Sequence, residues 1–295
     1  MDYKRIIGSQ TLRFRILKAL SWVPDSWMIR LQYRIKMGRW PNLKHPQTYS
    51  EKLQVYKLKY RNPLMCLCVD KYAVRQYVKN KGLDYILNDL YGVYDSVDEI
   101  DFNKLPCQFV AKTTDGSGGQ DVIIVDDKNE ISEKYMKSFL SSKLGKKDVN
   151  PGREWAYTGI KIPRIIIERL LGVGSGIEDY KFLCFNGKFR VLWIDKDRYT
   201  NHRRGFWNEN LEFMPGVSSD YESFDEPIAL PDNICEMIRI AEKLAEDFPH
   251  VRVDLYNIAG VIIFGELTFY PLSGYVIYKP ESFDLKLGTF FTEYN

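Results

Sequence analysis

The sequence predicts an α+β protein in which a mainly helical N-terminal part precedes a body built largely from strands. Hydrophobic residues make up 45% and aromatic residues 14% of the 295 residues, which is enough to form a sizeable core. Amphipathic, helix-like segments dominate up to about residue 100. After that point, runs rich in β-branched and aromatic residues dominate, and helical segments become fewer.

The N-terminal part is predicted to contain several helices. Residues 9–37 indicate helices interrupted at "VPDS", where Asp25 or the serine after it caps the second helix. Thr48 and, three residues later, Glu51 form a capping-box pattern at the start of another helix. The segment "DKYAVRQYVKNKG" indicates a short amphipathic helix that ends at Gly82.

The body is predicted to consist of short strands with two intervening helices, at about 131–143 and 231–247. Residues 144–153 are expected to form an exposed loop, because they combine glycine, proline and charged residues. Near the C-terminus, "HVRVDLYNIAGVIIFGELTFYP" indicates two strands around a turn. The other strand-like runs are "CQFVAK", "DVIIVD", "RIIIERLL", "YKFLCFNGKFRVLWI" and "GFWNENLEFM".

Composition argues against several classes of protein. The five cysteines are odd in number and form no CxxC pair, so we expect reduced, mostly buried thiols and a cytoplasmic location. Arg13, Arg15 and Lys18 interrupt the first apolar run, so no signal peptide is predicted. The sequence contains no run of about 18 uncharged apolar residues, so no transmembrane helix is predicted. The three histidines are scattered, so a zinc site is not expected.

Positive charge is concentrated at the N-terminus. Residues 1–45 hold ten Lys/Arg and two acids, a net charge of 10 − 2 = +8, which leaves 3 − 8 = −5 for the remainder. Trp22, Trp27 and Trp40 are interleaved with these charges. The segment predicts either peripheral contact with an anionic membrane or a phosphorylated partner, or else a solvated helix pair packed on the body. No recognised nucleic-acid motif accompanies the charge, so nucleic acid is not an expected partner.

The run "FVAKTTDGSGGQDVIIV" places Lys112 on a strand, before a glycine loop and a second strand. Glycines allow backbone N–H groups to approach phosphate oxygens closely. The lysine precedes the glycines and no helix follows directly, so the loop is neither a Walker A loop nor a dinucleotide-binding loop. The pattern indicates a flap over a nucleotide, or alternatively an ordinary glycine-rich hairpin.

The run "PRIIIERLLG" ends a predicted buried strand in Glu168. A carboxylate in this position requires a specific partner. An adenine amino group is one candidate, with the backbone of Arg169 to Leu171 reading the edge of the ring. An ion pair between Glu168 and a neighbouring lysine or arginine is the alternative.

The C-terminal hairpin carries Arg252, Asp254 and Glu266 within otherwise apolar strands. Arg252 and Asp254 are two residues apart and therefore share a face. A three-residue loop, 258–260, would place Asp254 opposite Phe264 and Arg252 opposite Glu266, and its last residue is a glycine, as such loops prefer. We therefore expect all three charges on one face, with the carboxylates holding Mg²⁺. The alternative is a cross-strand Arg–Glu pair with an exposed aspartate.

Taken in order, these motifs resemble those of the ATP-grasp superfamily, and in particular its TupA-like branch of amidoligases of surface-polysaccharide and teichuronopeptide biosynthesis. The resemblance spans residues 42 to 274, nearly the whole chain. It implies an ATP-grasp fold with residues 1–100 as a mainly helical region, 101–166 as a small lobe and 167–295 as a large lobe. The segments that carry it are "NLKHPQTYSEKLQ", "DKYAVRQYV", "LPCQFVAKTTDGSGG", "DYKFLCFNGK" and "VRVDLYNIAGVIIFGELTFYPLSG".

The resemblance also implies a role for individual residues in ATP binding. Lys71 and Lys112 correspond to two phosphate-binding lysines, and Asp179 to the acid that holds the ribose. The phosphate flap would comprise Asp115, Gly116, Ser117, Gly118 and Gly119, and the adenine hinge would comprise Glu168, Arg169, Leu170 and Leu171.

For catalysis, the resemblance implies that Arg252 stabilises an acyl phosphate and that Asp254 and Glu266 hold two Mg²⁺ ions. Thr268 occupies the position of the usual metal-binding asparagine, and a hydroxyl is a weaker ligand than a carboxamide oxygen. Lys181, two residues after Asp179, is predicted to share its face and reach phosphate. The predicted substrate-contacting residues are Arg198, Arg203 and Arg204, with a solvated charged loop as the alternative.

The implied activity is ATP-dependent ligation of a carboxylate to an amine on a cell-surface glycan or its precursor. The expected partners are ATP, an amino acid, and an acidic or amino sugar. Two alternatives are phosphoryl transfer to a sugar and sugar-nucleotide-dependent glycosyl transfer, which also uses a carboxylate-bound metal.

Overall fold

The computed structural model describes residues 15–17, 19–116, 119, 121–145, 150–172, 177–197 and 201–292. Within them, helices combine with two antiparallel sheets, so the predicted α+β class is confirmed. Of the predicted site residues, Ser117, Gly118 and Arg198 lie outside the described residues.

The helices begin and end largely where the sequence predicted them. The capping box of Thr48 and Glu51 is present at the second helix. The predicted cap of the helix Asp25–Met37, by Asp25 or the serine after it, is wrong, because Pro24 occupies the N-cap position and no side chain caps this helix. The helices are α1 (Asp25–Met37), α2 (Tyr49–Lys59), α3 (Leu64–Cys68), α4 (Val74–Asn80), α5 (Glu133–Lys143), α6 (Ile234–Ala245) and α7 (Glu281–Phe290).

The first sheet has four strands in the order β1-β4-β2-β3. Strand β1 comes from the part of the chain that the sequence predicted as mainly helical, whereas the boundaries of the three predicted regions stay a prediction. Helix α5 packs on β2 and buries Met136 and Leu140 against the sheet. The strands are β1 (Leu90–Tyr94), β2 (Phe109–Thr113), β3 (Val122–Val125) and β4 (Ile165–Glu168).

The second sheet has five strands in the order β7-β6-β5-β8-β9. Helix α6 packs on β5, β6 and β8, and Met237, Ile240 and Leu244 on its apolar side are buried. Successive residues of a strand point to opposite faces, so alternate positions are left for the charged side chains described below. The strands are β5 (Asp179–Phe185), β6 (Lys188–Lys196), β7 (Arg203–Trp207), β8 (His250–Ile258) and β9 (Val261–Thr268).

The cysteines are all free thiols, and their burial is mixed. Cys68 and Cys184 are buried, Cys66 is partly buried, and Cys107 and Cys235 are exposed. The expectation that most thiols are buried is therefore wrong. Among the described residues, no helix is both long enough and apolar enough to cross a bilayer.

Helix α2 fastens the turn that follows β9. In this turn, Leu272, Ser273 and Gly274 all have left-handed backbone angles, with φ of 48°, 58° and 71°. Such angles are unfavourable for the first two residues and persist only where the surroundings hold them. The ammonium of Lys57 donates to the carbonyl oxygen of Ser273 at 2.9 Å, and Gln54 donates to that of Gly274 at 2.9 Å.

The pH dependence of stability should reveal the burial of Lys57. Desolvation lowers its pKa to about 7, so between pH 7 and 10 the unfolded chain binds the proton more tightly than the folded chain. The free energy of unfolding of the wild type, relative to that of Lys57→Met, should therefore rise with pH across this window. The slope should reach up to about 1.4 kcal/mol per pH unit in denaturant titrations.

Lys59→Met is the matched control, since Lys59 lies exposed on the same helix. The difference in free energy of unfolding between the wild type and Lys59→Met should not change with pH over the same window. If the difference in free energy of unfolding for Lys57→Met is also independent of pH, the burial and desolvation of the Lys57 ammonium are contradicted.

Candidate active site

The turn between β8 and β9 contains two residues, Ala259 and Gly260. Ile258 pairs with Val261, and both turn residues have positive φ, 50° and 85°. Two successive left-handed residues match the twist of the flanking strands. The predicted three-residue loop, 258–260, is therefore wrong.

A bulge in β9 then returns Glu266 to the same face as Asp254, which the shorter turn alone would not do. Leu255 pairs with Phe264, whereas Asp254 pairs with Glu266, so Gly265 is an extra residue on β9. Without this bulge, the two-residue turn would place Glu266 on the face opposite to Asp254. The predicted pairs of Asp254 with Phe264 and of Arg252 with Glu266 are wrong. The expected gathering of the three charges on one face is nevertheless observed.

The guanidinium of Arg252 joins the two carboxylates of the hairpin. Its Nε donates to Oδ1 of Asp254 at 2.6 Å and its Nη2 to Oδ2 at 2.5 Å. The same Nη2 lies 2.9 Å from Oε1 of Glu266 and 3.0 Å from Oγ1 of Thr268. Thr268 in turn donates to Glu266 at 2.8 Å. One cation thus contacts every residue that the sequence predicted as a metal ligand.

Burial and charge act in opposite directions on this cluster. Desolvation raises the pKa of Asp254, which is buried, above its usual value despite Arg252 and Lys181 nearby. Desolvation also opposes ionisation of Glu266, but the charges of Arg252 and Lys181 outweigh it and lower the pKa of that half-exposed carboxyl. The hairpin therefore holds one deeply buried carboxylate beside one that solvent and ligands can reach.

The ammonium of Lys181 lies among three carboxylates from neighbouring strands. It contacts Asp179, lies 2.9 Å from Oδ2 of Asp254, and lies 4.0 Å from Oδ2 of Asp195. Asp179 and Lys181 share a face, as the alternation of strand residues predicted. Asp179 is buried within this network and is not among the residues that line the cleft described below. Its ribose-binding role stays a prediction.

Arg204 forms the far end of the same network and is not available to a substrate. It donates two hydrogen bonds to Asp195, at 2.6 Å and 3.0 Å, and its guanidinium lies between the rings of Trp193 and Tyr221. Burial raises the pKa of Asp195, but Arg204 and Lys181 outweigh it and lower that pKa to about 2. The expected substrate contact of Arg204, and the solvated loop offered as its alternative, are both wrong, because the residue is buried on β7.

Arg203 points away from this network. Its guanidinium lies 3.8 Å from a carboxylate oxygen of Asp225 and over the ring of Phe224. A contact between Arg203 and substrate has no support from this arrangement.

A narrow cleft between the two sheets brings predicted nucleotide-binding residues together. Its volume is about 70 Å³, below the roughly 300–1,000 Å³ of typical ligand pockets. Charged and polar side chains line one part and apolar side chains the other. The lining residues are Lys71, Arg75, Asn88, Lys112 and Glu168, with Leu87, Leu171, Tyr256, Phe264 and Gly265.

Ion pairs occupy the charged part of this cleft. The ammonium of Lys112 lies 2.5 Å from Oε2 of Glu168, and Arg75 lies 3.4 Å from Oε1 of the same carboxylate. The ion-pair alternative for Glu168 is thus what the structure shows. Arg75 had no predicted role, although it lies four residues after Lys71, a spacing that places two residues on one side of a helix.

The glycine loop is anchored to the segment that carries Lys71. The ammonium of Lys71 donates to the carbonyl oxygen of Gly116, and its backbone N–H donates to Thr114 at 3.0 Å. A Cβ atom at Gly116 would lie 2.8 Å from Cβ of Asp121, so this position requires glycine. Asp115 is buried and Gly119 is exposed, with φ of 73°. The loop that follows the strand of Lys112 is therefore held against Lys71, the other predicted phosphate-binding lysine.

The predicted adenine hinge leaves the sheet after Glu168. The backbone N–H of Arg169 donates to Asp89 at 3.0 Å, and its carbonyl oxygen accepts from Asn88 at 2.8 Å. Leu171 lines the cleft, whereas Leu170 does not. The carbonyl oxygen of Arg169 has a second lone pair, so the hinge retains an acceptor for a ligand.

Solved structures with a similar arrangement include ligases, although the similarity is weak. Two crystal structures of D-alanine–D-alanine ligase from Bacillus anthracis are 18% and, in complex with ATP, 17% identical, with TM-scores of 0.47 and 0.41. They cover 77% and 69% of this chain and 65% and 54% of their own. An L-amino acid ligase from Bacillus licheniformis is 16% identical, with a TM-score of 0.46, over 78% of this chain and 51% of its own.

The chain thus spans between half and two thirds of the length of these relatives. No curated protein matches it.

A family model supplies the identification. The model of TupA-like ATP-grasp proteins matches residues 51–292, which is most of the chain. The protein is therefore an ATP-grasp protein, as its motifs predicted. Within that class, the chain belongs to the TupA-like ATP-grasp family.

The bulge at Gly265 provides a direct test of the hairpin. A Cβ atom there would lie 3.0 Å from the carbonyl oxygen of Asp254 and 3.2 Å from the ring of Tyr256. Gly265→Val should therefore lower the free energy of unfolding by about 1–3 kcal/mol, measured by denaturant titration, because the strands must separate at the bulge.

Gly260→Asn is the control, since a Cβ atom at Gly260 meets nothing within 4 Å and asparagine tolerates positive φ. It should cost less than Gly265→Val. Equal stability of the wild type and Gly265→Val would contradict the bulged register.

Proposed function

We propose that the protein is an ATP-dependent carboxylate–amine ligase. The observation that carries the proposal is the hairpin cluster, in which Arg252, Asp254 and Glu266 meet on one face of the second sheet. Glu266 follows Gly265, which lines the cleft together with Lys71 and Lys112. A phosphate chain lying along this cleft would meet lysines from the first part of the chain and carboxylates from the last.

The nucleotide would bind by exchanging ion pairs. Lys112 lies against Glu168, and polyphosphate is a stronger acceptor for its ammonium than one carboxylate. Release of Lys112 would leave Glu168 to accept from the adenine amino group, beside the backbone of residues 169–171. Lys71 and the loop of residues 115–119 would cover the phosphates, and Asp179 would contact the ribose.

The hairpin residues fit a magnesium site. Asp254, Glu266 and Thr268 supply hard oxygen donors on one face, and Mg²⁺ is typically held by one or two carboxylates together with phosphate and water. Among the described residues, no cluster of three or more His, Cys, Asp or Glu side chains could hold a metal unaided. When bound, Mg²⁺ would neutralise negative charge on the transferring phosphoryl group.

The cations of the site would act on developing negative charge. Arg252 is buried, and two hydrogen bonds to Asp254 hold its guanidinium in place. Little reorganisation is therefore needed when negative charge develops nearby. Lys181 is fixed by three surrounding carboxylates and would contact phosphate from the same face. Arg198 completes the proposed catalytic set.

The proposed reaction has two steps. A substrate carboxylate oxygen attacks the γ-phosphorus of ATP, the bond to the β-bridging oxygen breaks, and an acyl phosphate and ADP form. An amine nitrogen then attacks the acyl carbon and phosphate leaves, which yields an amide after loss of the amine proton. Binding both reactants beside Arg252 would provide the proximity that this chemistry needs.

The proposed substrates are an amino acid and an acidic or amino sugar of a cell-surface polysaccharide or its precursor, modified in the cytoplasm at the inner face of the membrane. Residues 1–45, with their net charge of +8, would provide the peripheral contact. Product analysis tests the chemistry. An amide with ADP and free phosphate supports ligation, whereas a phosphosugar with ADP would indicate a kinase, and UDP release a glycosyltransferase.

Loss of a phosphate-binding lysine should weaken nucleotide binding. Lys112→Ala is expected to reduce ATP affinity by about 1–3 kcal/mol, because a charge-assisted contact is removed. Isothermal titration with a non-hydrolysable ATP analogue measures this. Lys104→Ala, an exposed position outside the cleft, serves as the control. Unchanged affinity in both Lys112→Ala and Lys71→Ala would rule out the phosphate assignment.

Loss of one metal-facing charge should affect the chemistry more than adenine recognition. Glu266→Gln is expected to slow ADP formation at least about a hundredfold, while adenosine affinity and thermal stability change little. Glu209→Gln, an exposed position, is the control. Thr268→Asn should be tolerated, because it supplies an amide oxygen as a metal ligand. Full turnover in Glu266→Gln would refute the metal assignment.

A further inference from the structure

The outer side of α1 presents a continuous row of large apolar side chains. Trp27, Leu31 and Ile35 follow one another at intervals of four residues, and 69%, 44% and 43% of their surfaces are exposed. Residues four apart lie on the same side of a helix. Single exposed apolar residues are common on proteins, but an aligned row of three marks an interaction surface.

Two arginines lie beside this row. At 100° per residue, Arg34 falls 20° and Arg30 60° from the direction of Trp27, on the side away from Leu31. The opposite side of α1 is buried against the body through Met28, Ile29, Gln32 and Tyr33. The exposed side is therefore apolar along one edge and basic along the other.

Two more exposed tryptophans lie in the chain just before and just after the helix. Trp22 is 78% exposed and Trp40 is 62% exposed. Tryptophan favours the boundary between headgroups and acyl chains, where its ring is partly apolar and partly polar. We call Trp27, Leu31 and Ile35 the apolar face of α1.

The charge of the surrounding segment selects the partner. Residues 1–45 carry a net charge of +8, while the remainder carries −5. An anionic bilayer satisfies both the apolar row and the basic excess. The family match begins at residue 51, so this surface belongs to a part of the chain outside the matched region.

Helix α1 is also coupled to the turn that follows the metal-binding hairpin. Tyr275, directly after that turn, donates to Oε1 of Gln32 at 2.9 Å, and Nε2 of Gln32 donates to the carbonyl oxygen of Pro151 at 2.7 Å. The ammonium of Lys36 lies 4.1 Å from the centre of the Tyr275 ring. The inner side of α1 thus contacts the segment that follows β9, and its outer side faces solvent.

We propose that the apolar face of α1, with Arg30 and Arg34, docks the protein on an anionic lipid bilayer. A helix lying in the interface would bury its apolar row among the acyl chains and leave its arginines at the headgroups. A docked protein would hold the candidate active site at the membrane surface. Delivery of a lipid-linked acceptor to that site rests on the proposed function, whereas docking itself does not.

Vesicle co-sedimentation of the full chain tests docking without any enzymatic readout. The wild type should bind vesicles of equal parts phosphatidylcholine and phosphatidylglycerol, and binding should fall with added salt. Trp27→Ser/Leu31→Ser should weaken binding at least about tenfold, the scale of removing one or more buried apolar side chains. Arg30→Gln/Arg34→Gln should weaken it about thirtyfold on these vesicles, at about 1 kcal/mol per basic residue.

The matched control is Tyr85→Ser/Ile162→Ser, which removes two apolar side chains that are 63% and 62% exposed elsewhere on the protein. It should bind vesicles as the wild type does. Thermal unfolding should show all variants folded, because the replaced residues lie at the surface. Retained binding of the ATP analogue in these variants would separate a failure of docking from a failure of the proposed ligase activity.

Three results would overturn the proposal. The first is no binding of the wild type to anionic vesicles. The second is equal binding of the wild type and Trp27→Ser/Leu31→Ser. The third is a wild-type dimer in sedimentation-velocity experiments that the same double substitution converts to a monomer, since a second copy of the chain would then cover this face.

Discussion

The guanidinium of Arg252 allows two carboxylates to face each other on the hairpin of β8 and β9. Asp254 and Glu266 are directly opposed across the strands, a position in which like charges repel. Arg252 bonds both of them, and Lys181 contributes a second positive charge to Asp254. Because buried charges are tolerated only when paired, the rest of the site is arranged around this contact. The order of the second sheet serves it directly, since β5 brings Lys181 beside β8.

The same principle governs the cleft between the sheets. Lys112 pairs with Glu168, and Arg75 approaches the same carboxylate, so the charges of the candidate nucleotide site are in contact with one another. Binding of ATP and Mg²⁺ would then replace one set of ion pairs with another. Such an exchange would avoid exposing unpaired charges within the narrow cleft.

The sequence allowed the strands of both sheets other than β1, and the identity of the charged cluster, to be predicted, because strand composition and the order of motifs are local signals. It did not allow the register to be predicted. Two hairpins show the same cause. The Asn186–Gly187 turn and the Ala259–Gly260 turn each have two residues with positive φ, and each is followed by a bulge in the second strand that shifts the pairing by one residue.

These bulges decide which side chains meet. In the first hairpin the shift places Asp195 opposite Asp179, and in the second it places Glu266 opposite Asp254. Asp195 had no predicted role, because the residues that lie beside the end of β6 depend on this register and cannot be predicted from the sequence. Arg204 was misassigned for a related reason, since the run "NHRRGFW" appears solvated in sequence, whereas the sheet buries the second arginine against Trp193.

A crystal structure with Mn²⁺ and a non-hydrolysable ATP analogue would test the central claim most directly, because anomalous scattering locates the metal without ambiguity. The account predicts Mn²⁺ bonded to carboxylate oxygens of Asp254 and Glu266 and to phosphate, with Arg252 no longer bonded to Glu266 and Lys112 moved from Glu168 to phosphate. Metal bound elsewhere, with Arg252 still joining the two carboxylates, would contradict it.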